Sequence, residues 1–327
     1  MDKQASKQAG GKAMRIAVVG TGGVGGYFGA RLVQAGEDVV FLARGAHLQA
    51  LRSSGLHVQS INGDVVLPAV QATDDPAQVG TVDVVLVAVK AWQVPEAAQA
   101  IKPLVGAETM VVPLENGVEA PAQLAAAVGA AHVLGGFCWI VSFIAAPGVI
   151  HHTGVEPHIA FGEMDNRRTE RVERLVEACT RAGIKKVEVP DDIQAALWQK
   201  FTFIASMSGM GAVTRATVGV MRTLPQTRQM IAQAINEIIA VAQRRGIALS
   251  DDVLAATMRF IDSMPPQSTL SMQRDMMEGR PSELESQNGA VVRLGSEVGV
   301  ATPLHAFLYR SLLPMELAAR GQLPAVA

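Results

Sequence analysis

The sequence predicts two unlike halves, an α/β domain built on a parallel sheet and then an all-α domain, and three observations carry the prediction. Over residues 14–190, buried-strand runs alternate with helical periodicity. From Asp191 onward the strand-like runs stop and only helical periodicity continues. The chain has 327 residues, long for one hydrophobic core, so two domains are the default. The expected partition is a flexible tail over 1–13, the α/β domain over 14–190 and the helical domain over 191–327.

The first element is a strand at 15–20, rich in β-branched residues. Gly20, Thr21, Gly22, Gly23, Val24 and Gly25 follow it and satisfy G-x-G-x-x-G. An amphipathic helix carrying Tyr27, Phe28, Leu32 and Val33 comes next, and Gly36 ends it. A second strand at 38–43 closes a unit of the ~30 residues that a dinucleotide-binding βαβ motif occupies. In that setting Gly20 turns the chain out of the strand, Gly22 lets backbone approach a pyrophosphate, and Gly25 lets the helix pack closely on the sheet. The helix N-terminus presents unpaired N–H groups and a positive dipole end to the phosphates. The first domain is therefore expected to be Rossmann-type and to bind a dinucleotide.

The end of the second strand selects the dinucleotide. An NAD site wants a carboxylate there for the ribose 2′-hydroxyl, whereas this chain has Ala43 and Arg44, with His47 and Arg52 nearby. A guanidinium pairs bidentately with a 2′-phosphate that a carboxylate would repel, so NADPH/NADP is the expected cofactor. The competing reading of Arg44 is a solvated loop arginine.

Residues 57–59 and 65–70 read as short strands around a turn at 61–64. A buried strand at 83–89 ends at Lys90; a helix at 94–101 and a strand at 109–112 then lead to Glu115, Asn116 and Gly117. Lys90 and Asn116 thus stand at carboxyl ends of strands, where open α/β sheets bind ligands. After a helix at 120–128, the apolar segment 132–144 and the stretch 148–162 are expected to form the far edge of the same sheet. His151, His152 and His158 fall there without a carboxylate or cysteine at ligand spacing, so surface or edge-strand histidines are expected and no metal. A helix at 169–182 and a strand at 186–189 complete the domain.

The helical half reads as helices at 193–213, 224–245, 251–263 and 269–278, then a capping box, Ser282 with Glu285, opening a helix to about 297. Lys200 lies inside the apolar first helix, where a lysine either snorkels to solvent or faces a polar cavity. In a cavity its ammonium can bind an anion or protonate a developing alkoxide. Hydroxyls of the cluster Ser268, Thr269 and Ser271 can hold a carboxylate at a helix start. Ordinary capping explains Ser282 and Glu285 and leaves Glu283 unexplained.

Composition narrows the classes. With 49% hydrophobic and 18% charged residues, the chain has a large interior to bury. No apolar run reaches the ~18 residues of a membrane span, so no membrane is expected as partner. A formal net charge of -2 gives no general attraction to nucleic acid. Cys138 and Cys179, without a C-x-x-C, and a polar N-terminus without a signal-peptide core point to the reducing cytoplasm. Helices apolar on more than one face leave room for a homodimer as well as for a monomer with one deep core.

Five segments in order carry a resemblance: GTGGVGG from Gly20, VAVKAWQ around Lys90, ENG from Glu115, LWQK ending at Lys200, and STLSMQRDMMEGRPSELE over 268–285. Over 14–313 the chain resembles the ketopantoate reductases (2-dehydropantoate 2-reductases). The resemblance implies a cytoplasmic NADPH enzyme of pantothenate biosynthesis that reduces ketopantoate, a small anionic 2-oxo acid, to pantoate. It implies that Lys200 is the general acid and that Glu283 assists it and holds substrate. It implies that Lys90 and Asn116 line the cofactor and substrate cleft, that Ser271 contacts the substrate carboxylate, and that Arg44 reads the 2′-phosphate. Where the family usually has asparagines one and two turns after the lysine, this chain has Ile204 and Ser208. Ser208 joins Asn116, Lys200, Ser271 and Glu283 as the expected substrate-binding set. The family's glutamine before Asn-Gly is Glu115 here, which adds a negative charge near an anionic substrate. Two alternatives follow: a paralogous reductase of another small 2-oxo acid, and a non-catalytic NADP-binding sensor, against which the retained pair Lys200 and Glu283 argues.

Overall fold

The computed structural model describes residues 13–323, so the expected tail over 1–13 lies, apart from Ala13, outside the described residues. Strand β1 (Arg15–Val19), helix α1 (Gly23–Gln34) and strand β2 (Asp38–Leu42) form the anticipated first unit. A helix the sequence did not announce, α2 (Gly45–Ser54), follows at once. It buries only Leu48 and Leu51 and its N-cap is Arg44, so neither periodicity nor a capping residue marks it. The antiparallel hairpin of β3 (Leu56–Ser60) and β4 (Val65–Leu67) comes next, then β5 (Gln71–Thr73).

The chain then builds β6 (Val82–Val87), α3 (Val94–Ala100), β7 (Val105–Pro113) and α4 (Ala120–Val128). The first sheet runs β5-β2-β1-β6-β7 with every pairing parallel. The inner strands β1, β2 and β6 are almost continuously apolar because both faces are covered. Ile16, Val18, Phe41 and Leu86 pack on one face with Phe28 of α1. Ala17, Val19, Val85 and Val87 pack on the other with Val94, Ala98 and Leu124 of α3 and α4. This half is a Rossmann-like domain.

Strands β8 (Leu134–Ala146) and β9 (Val149–Glu163) do not extend that sheet, which corrects the expected far edge. They pair with each other antiparallel, and β9 also carries β3 along its first half and β10 (Lys186–Glu188) along its second. The second sheet covers the outer side of α1. Two glycines make that approach possible: a Cβ on Gly23 would stand 2.3 Å from the Ser142 carbonyl oxygen, and one on Gly26 would stand 2.7 Å from Ile150. Since β9 is a central strand, His152 and His158 are buried rather than on a surface or edge. His152 bonds Ser60 Oγ (2.8 Å) through Nδ1 and the Val155 carbonyl (2.9 Å) through Nε2. Helix α5 (Glu170–Arg181) packs Val172 and Leu175 into the core beneath.

The second half is helical: α6 (Ile193–Thr214), α7 (Val218–Thr223), α8 (Pro225–Arg244), α9 (Val253–Ser263), α10 (Ser271–Met277), a π-helical turn (Glu285–Gly289), α11 (Ala290–Glu297) and α12 (Pro303–Ala319). Asp192 caps α6 by accepting the Ala195 N–H (3.0 Å), and the helix is buried on nearly every side, which explains why it is apolar all round. Pro303 is the first residue of α12, a position that tolerates the missing N–H. That helix also overturns the capping box. Ser282 gives its N–H (3.1 and 3.0 Å) and its hydroxyl to the carboxylate of Glu316 on α12, while Glu285 turns to Arg293 and to Tyr309 Oη (2.7 Å). Among the described residues no helix is long and apolar enough to cross a membrane.

Candidate active site

A cleft of about 580 Å³ opens where the carboxyl ends of β1, β6 and β7 meet α10 and the segment before the π-helical turn. Its two ends differ in kind. One is walled by Gly20, Thr21, Gly22, Val24 and Arg44; the other by Glu115, Asn116, Cys138, Ser271, Arg274 and Glu283.

At the first end Gly20 takes a φ of +92°, which glycine adopts without strain. The N–H groups of Gly20 and Thr21 both donate to the Leu42 carbonyl (3.2 Å each), and Thr21 Oγ1 adds a third bond there (3.0 Å). The turn is thereby fixed to β2, and Gly22 and Val24, whose N–H groups at the start of α1 have no intrahelical partner, wall the cleft. A Cβ on Gly22 would meet nothing within 4 Å, so the open cleft is what lies against it. Gly23 and Gly25 serve packing instead: a Cβ on Gly25 would sit 2.3 Å from the Gly20 carbonyl oxygen. Of the six motif residues, Gly20, Thr21, Gly22 and Val24 therefore wall the cleft, and Gly23 and Gly25 do not.

Arg44 stands at this mouth, its side chain 71% exposed and paired with Glu96 at 2.8 Å. His47 instead accepts the Gly148 N–H (3.1 Å), with burial lowering its pKa, and Arg52 turns to the Ala72 carbonyl (3.1 Å) and Asp74. A glycine turn with open space against Gly22, helix N–H groups and one exposed guanidinium fit a dinucleotide.

At the other end Lys200 does not snorkel, nor does it itself wall this cleft: it bonds the cleft residue Asn116 and lines a second cavity of about 460 Å³ with Phe137, Trp139 and Phe203. It is 7% exposed on the central helix α6, and its Nζ donates to Asn116 Oδ1 at 3.0 Å. The rings of Phe137 and Trp139 each lie 5.6 Å from the ammonium. Burial pushes the Lys200 pKa below the ordinary lysine value, and the charge of Glu283 opposes that shift in part. Asn116 passes the contact on, its Nδ2 donating to Glu283 Oε2 (3.1 Å). The same oxygen accepts from Gln287 Nε2 (3.2 Å), and Glu283 Oε1 accepts the Ala91 N–H (3.3 Å). Gln287 reaches it because the π-helical turn sets it one turn after Glu283; such turns recur at functional sites. A lysine, an amide and a carboxylate from three distant segments thus form one chain across the two halves.

Lys90 walls the cleft, but its ammonium is held by Asp275 on α10 (3.0 Å), which also binds Arg280 (2.8 Å). Ser271 opens α10 and faces the cleft, as does Arg274 one turn on. Arg274 donates to the Thr269 carbonyl (2.6 Å) and hydroxyl (3.1 Å), and burial lowers its pKa. Sequence reading missed this arginine; its i,i+3 spacing from Ser271 is the signal that could have found it. Ser208 is not brought to the others: it is fully buried, its Oγ has no partner, and it does not wall the cleft. Ile204 belongs to the helical core.

Glu115 is also corrected. Burial pushes its pKa up to about 8, the nearby Glu283 carboxylate adding to the shift, so at neutral pH it holds a proton and adds no negative charge. Chemically, then, the cleft offers phosphate-binding backbone at one end. At the other it offers Asn116 and Glu283, which tie it to the poorly hydrated Lys200 ammonium, with a hydroxyl and a guanidinium for a carboxylate.

Comparison with known proteins agrees in both halves. The family described as "Ketopantoate reductase PanE/ApbA" matches residues 16–166, and "Ketopantoate reductase PanE/ApbA C terminal" matches residues 192–316. The Bacillus subtilis oxidoreductase YkpB is 32% identical, covering 91% of this chain and 98% of its own. A 2-dehydropantoate 2-reductase of Nostoc sp. is 31% identical over 91% of this chain and 94% of its own. The crystal structure of 2-dehydropantoate 2-reductase from Geobacter metallireducens superposes with a TM-score of 0.85 at 33% identity, covering 92% of this chain and 99% of that one.

Proposed function

This chain belongs to the ketopantoate reductase (PanE/ApbA) family of NAD(P)-dependent oxidoreductases, and from that premise we propose that it reduces ketopantoate to pantoate with NADPH. The observation that carries the reading is the chain from Lys200 through Asn116 to Glu283, the last two of which wall the same cleft as the glycine turn. When bound, the reduced nicotinamide supplies the hydride. Gly20, Thr21, Gly22 and the α1 N-terminus hold the pyrophosphate, and Arg44 leaves Glu96 to pair with the 2′-phosphate.

Lys200 donates its proton to the ketone oxygen as charge develops there, and solvent restores it. Its lowered pKa makes it a better acid than an exposed lysine. Asn116 aims the ammonium, and Glu283 fixes the amide that does so. Ser271 and Arg274 bind the substrate carboxylate, and closure of the helical half over the cleft excludes water.

A second reading has its own observation. Ile204 is buried in the helical core and Ser208 is remote, so neither offers the substrate the polar partner that an asparagine would. A 2-oxo acid without a hydroxyl in that position is the corresponding substrate. NADPH consumption with ketopantoate, set beside other 2-oxo acids and NADH, decides. Preference for ketopantoate with NADPH is expected. Efficient turnover of another acid moves the chain to the paralogous activity, and tight NADPH binding without any turnover makes it a sensor.

A further inference from the structure

We propose that Glu115 is a positioning residue that works as a neutral acid, its Oε2 carrying a proton and donating it to an oxygen at the nicotinamide end of the bound dinucleotide. The inference rests on the dinucleotide reading of the cleft and not on the identity of the substrate.

Three observations point there. The Glu115 carboxyl group is buried where the first half meets the helical half, and the residue walls the same cleft as Gly22 and Asn116. Its two oxygens differ: Oε1 accepts the Val89 N–H at 3.2 Å, whereas Oε2 is buried without a hydrogen-bond partner among the described residues. A buried polar atom left unpaired is costly, and the cleft is the open space beside it from which a partner can come.

The third observation is that, among the described residues, no cation is committed to this side chain. Glu283 faces it from the segment before the π-helical turn, Lys200 from α6, and Cys138 from β8. The Lys200 ammonium bonds Asn116, whose amide bonds Glu283. Lys90 and Arg274 wall the cleft too, but their charges are held by Asp275 and by the oxygens of Thr269. An ionised Glu115 would add a second carboxylate beside Glu283 with no counter-ion of its own, in a site built for anions. The neutral form has one accepting oxygen, filled by Val89, and one O–H to give. A glutamine side chain presents the same pair, one acceptor and one donor.

The consequence is a proton-linked affinity. Burial pushes the Glu115 pKa up to about 8, so above that pH the donor is lost and a negative charge stands in its place. The test is NADPH and NADH binding to the full chain, followed by nicotinamide fluorescence from pH 7 to 9.5, for the wild type, E115Q and E115A. NADH lacks the 2′-phosphate and so controls for its ionisation.

In the wild type both cofactors are expected to weaken above pH 8, by roughly tenfold for each further pH unit, as one linked proton requires. E115Q should bind as the wild type does at pH 7 and lose little affinity up to pH 9.5, while E115A binds weakly throughout. Parallel loss in wild type and E115Q overturns the proposal, as does a pH-independent wild type. Failure of every form to bind either cofactor overturns it together with the dinucleotide reading. A normal binding profile in an enzyme that turns over no 2-oxo acid sustains it while refuting the substrate.

Discussion

The two ends of the cleft solve opposite physical problems. The phosphate end consists of backbone and one water-exposed arginine; the reacting end consists of buried side chains that satisfy one another. At the first, each contact is exchanged for water and is individually weak. At the second, little water is available, so removal of one partner leaves the others unpaired. Loss of a single polar group should therefore be a minor event at one end and a catalytic one at the other, and substitutions can test that contrast from its strongest case downward.

The strongest case is Lys200→Met, which removes the proton donor and leaves Asn116 Oδ1 without its partner. Loss of roughly 10³-fold in kcat is expected, with the Kd for NADPH changed by less than about threefold. Steady-state kinetics beside fluorescence titration measures both; a retained kcat removes Lys200 from the mechanism. The wild type carries a matching pH signature. Only the protonated amine donates, so kcat must fall as pH rises through the Lys200 pKa, and burial brings that limb below the ordinary lysine value of 10.5.

Asn116→Ala comes next. It cuts the link between lysine and carboxylate and leaves Lys200 Nζ and Glu283 Oε2 each one partner short. Loss of roughly 10²-fold in kcat is expected, with a displaced alkaline limb, because the ammonium then sits in the same pocket without its amide. An unchanged pH profile would mean that Asn116 contacts the site without setting the state of Lys200.

Arg44→Ala tests the exposed end. Affinity for NADPH should fall by roughly tenfold, that for NADH by little, and the difference should shrink in high salt because this guanidinium is open to solvent. Equal losses for the two cofactors would show that Arg44 does not read the 2′-phosphate.

The same contrast explains what the sequence made legible. The glycine turn and the apolar runs of β1 and β6 are local features, and their meaning survives without knowledge of the fold. Lys200, Asn116 and Glu283 were also visible singly, as a lysine inside an apolar helix, an amide at a strand end and a carboxylate that capping did not explain. Their mutual bonds were not, because they join residues 84 and 167 positions apart. Ser208 shows the limit of face counting. Eight residues along a helix are about 12 Å of rise and about 80° of rotation, enough to separate its hydroxyl from the chain that Lys200 forms with Asn116. The ionisation state of Glu115 is set by burial among segments from both halves and has no local signature at all. Likewise the second sheet was hidden because β9 finds β3 and β10 at long range, and α12 because Pro303 starts helices as readily as it ends them.

The smallest expected effect has the opposite sign. Arg44 is held by Glu96 across the mouth of the cleft, an ion pair with both side chains mostly exposed. Such pairs contribute about 0–1 kcal/mol, so releasing the arginine costs little, yet that cost is subtracted from every encounter with a 2′-phosphate. Glu96→Gln should tighten NADPH binding by roughly two- to fivefold at low salt and leave NADH nearly unaffected. In the Arg44→Ala background the same substitution should do nothing specific to NADPH, since the group it competes for is gone. Equal tightening of NADPH in both backgrounds would mean that Glu96 acts as a general negative charge at the mouth rather than through Arg44.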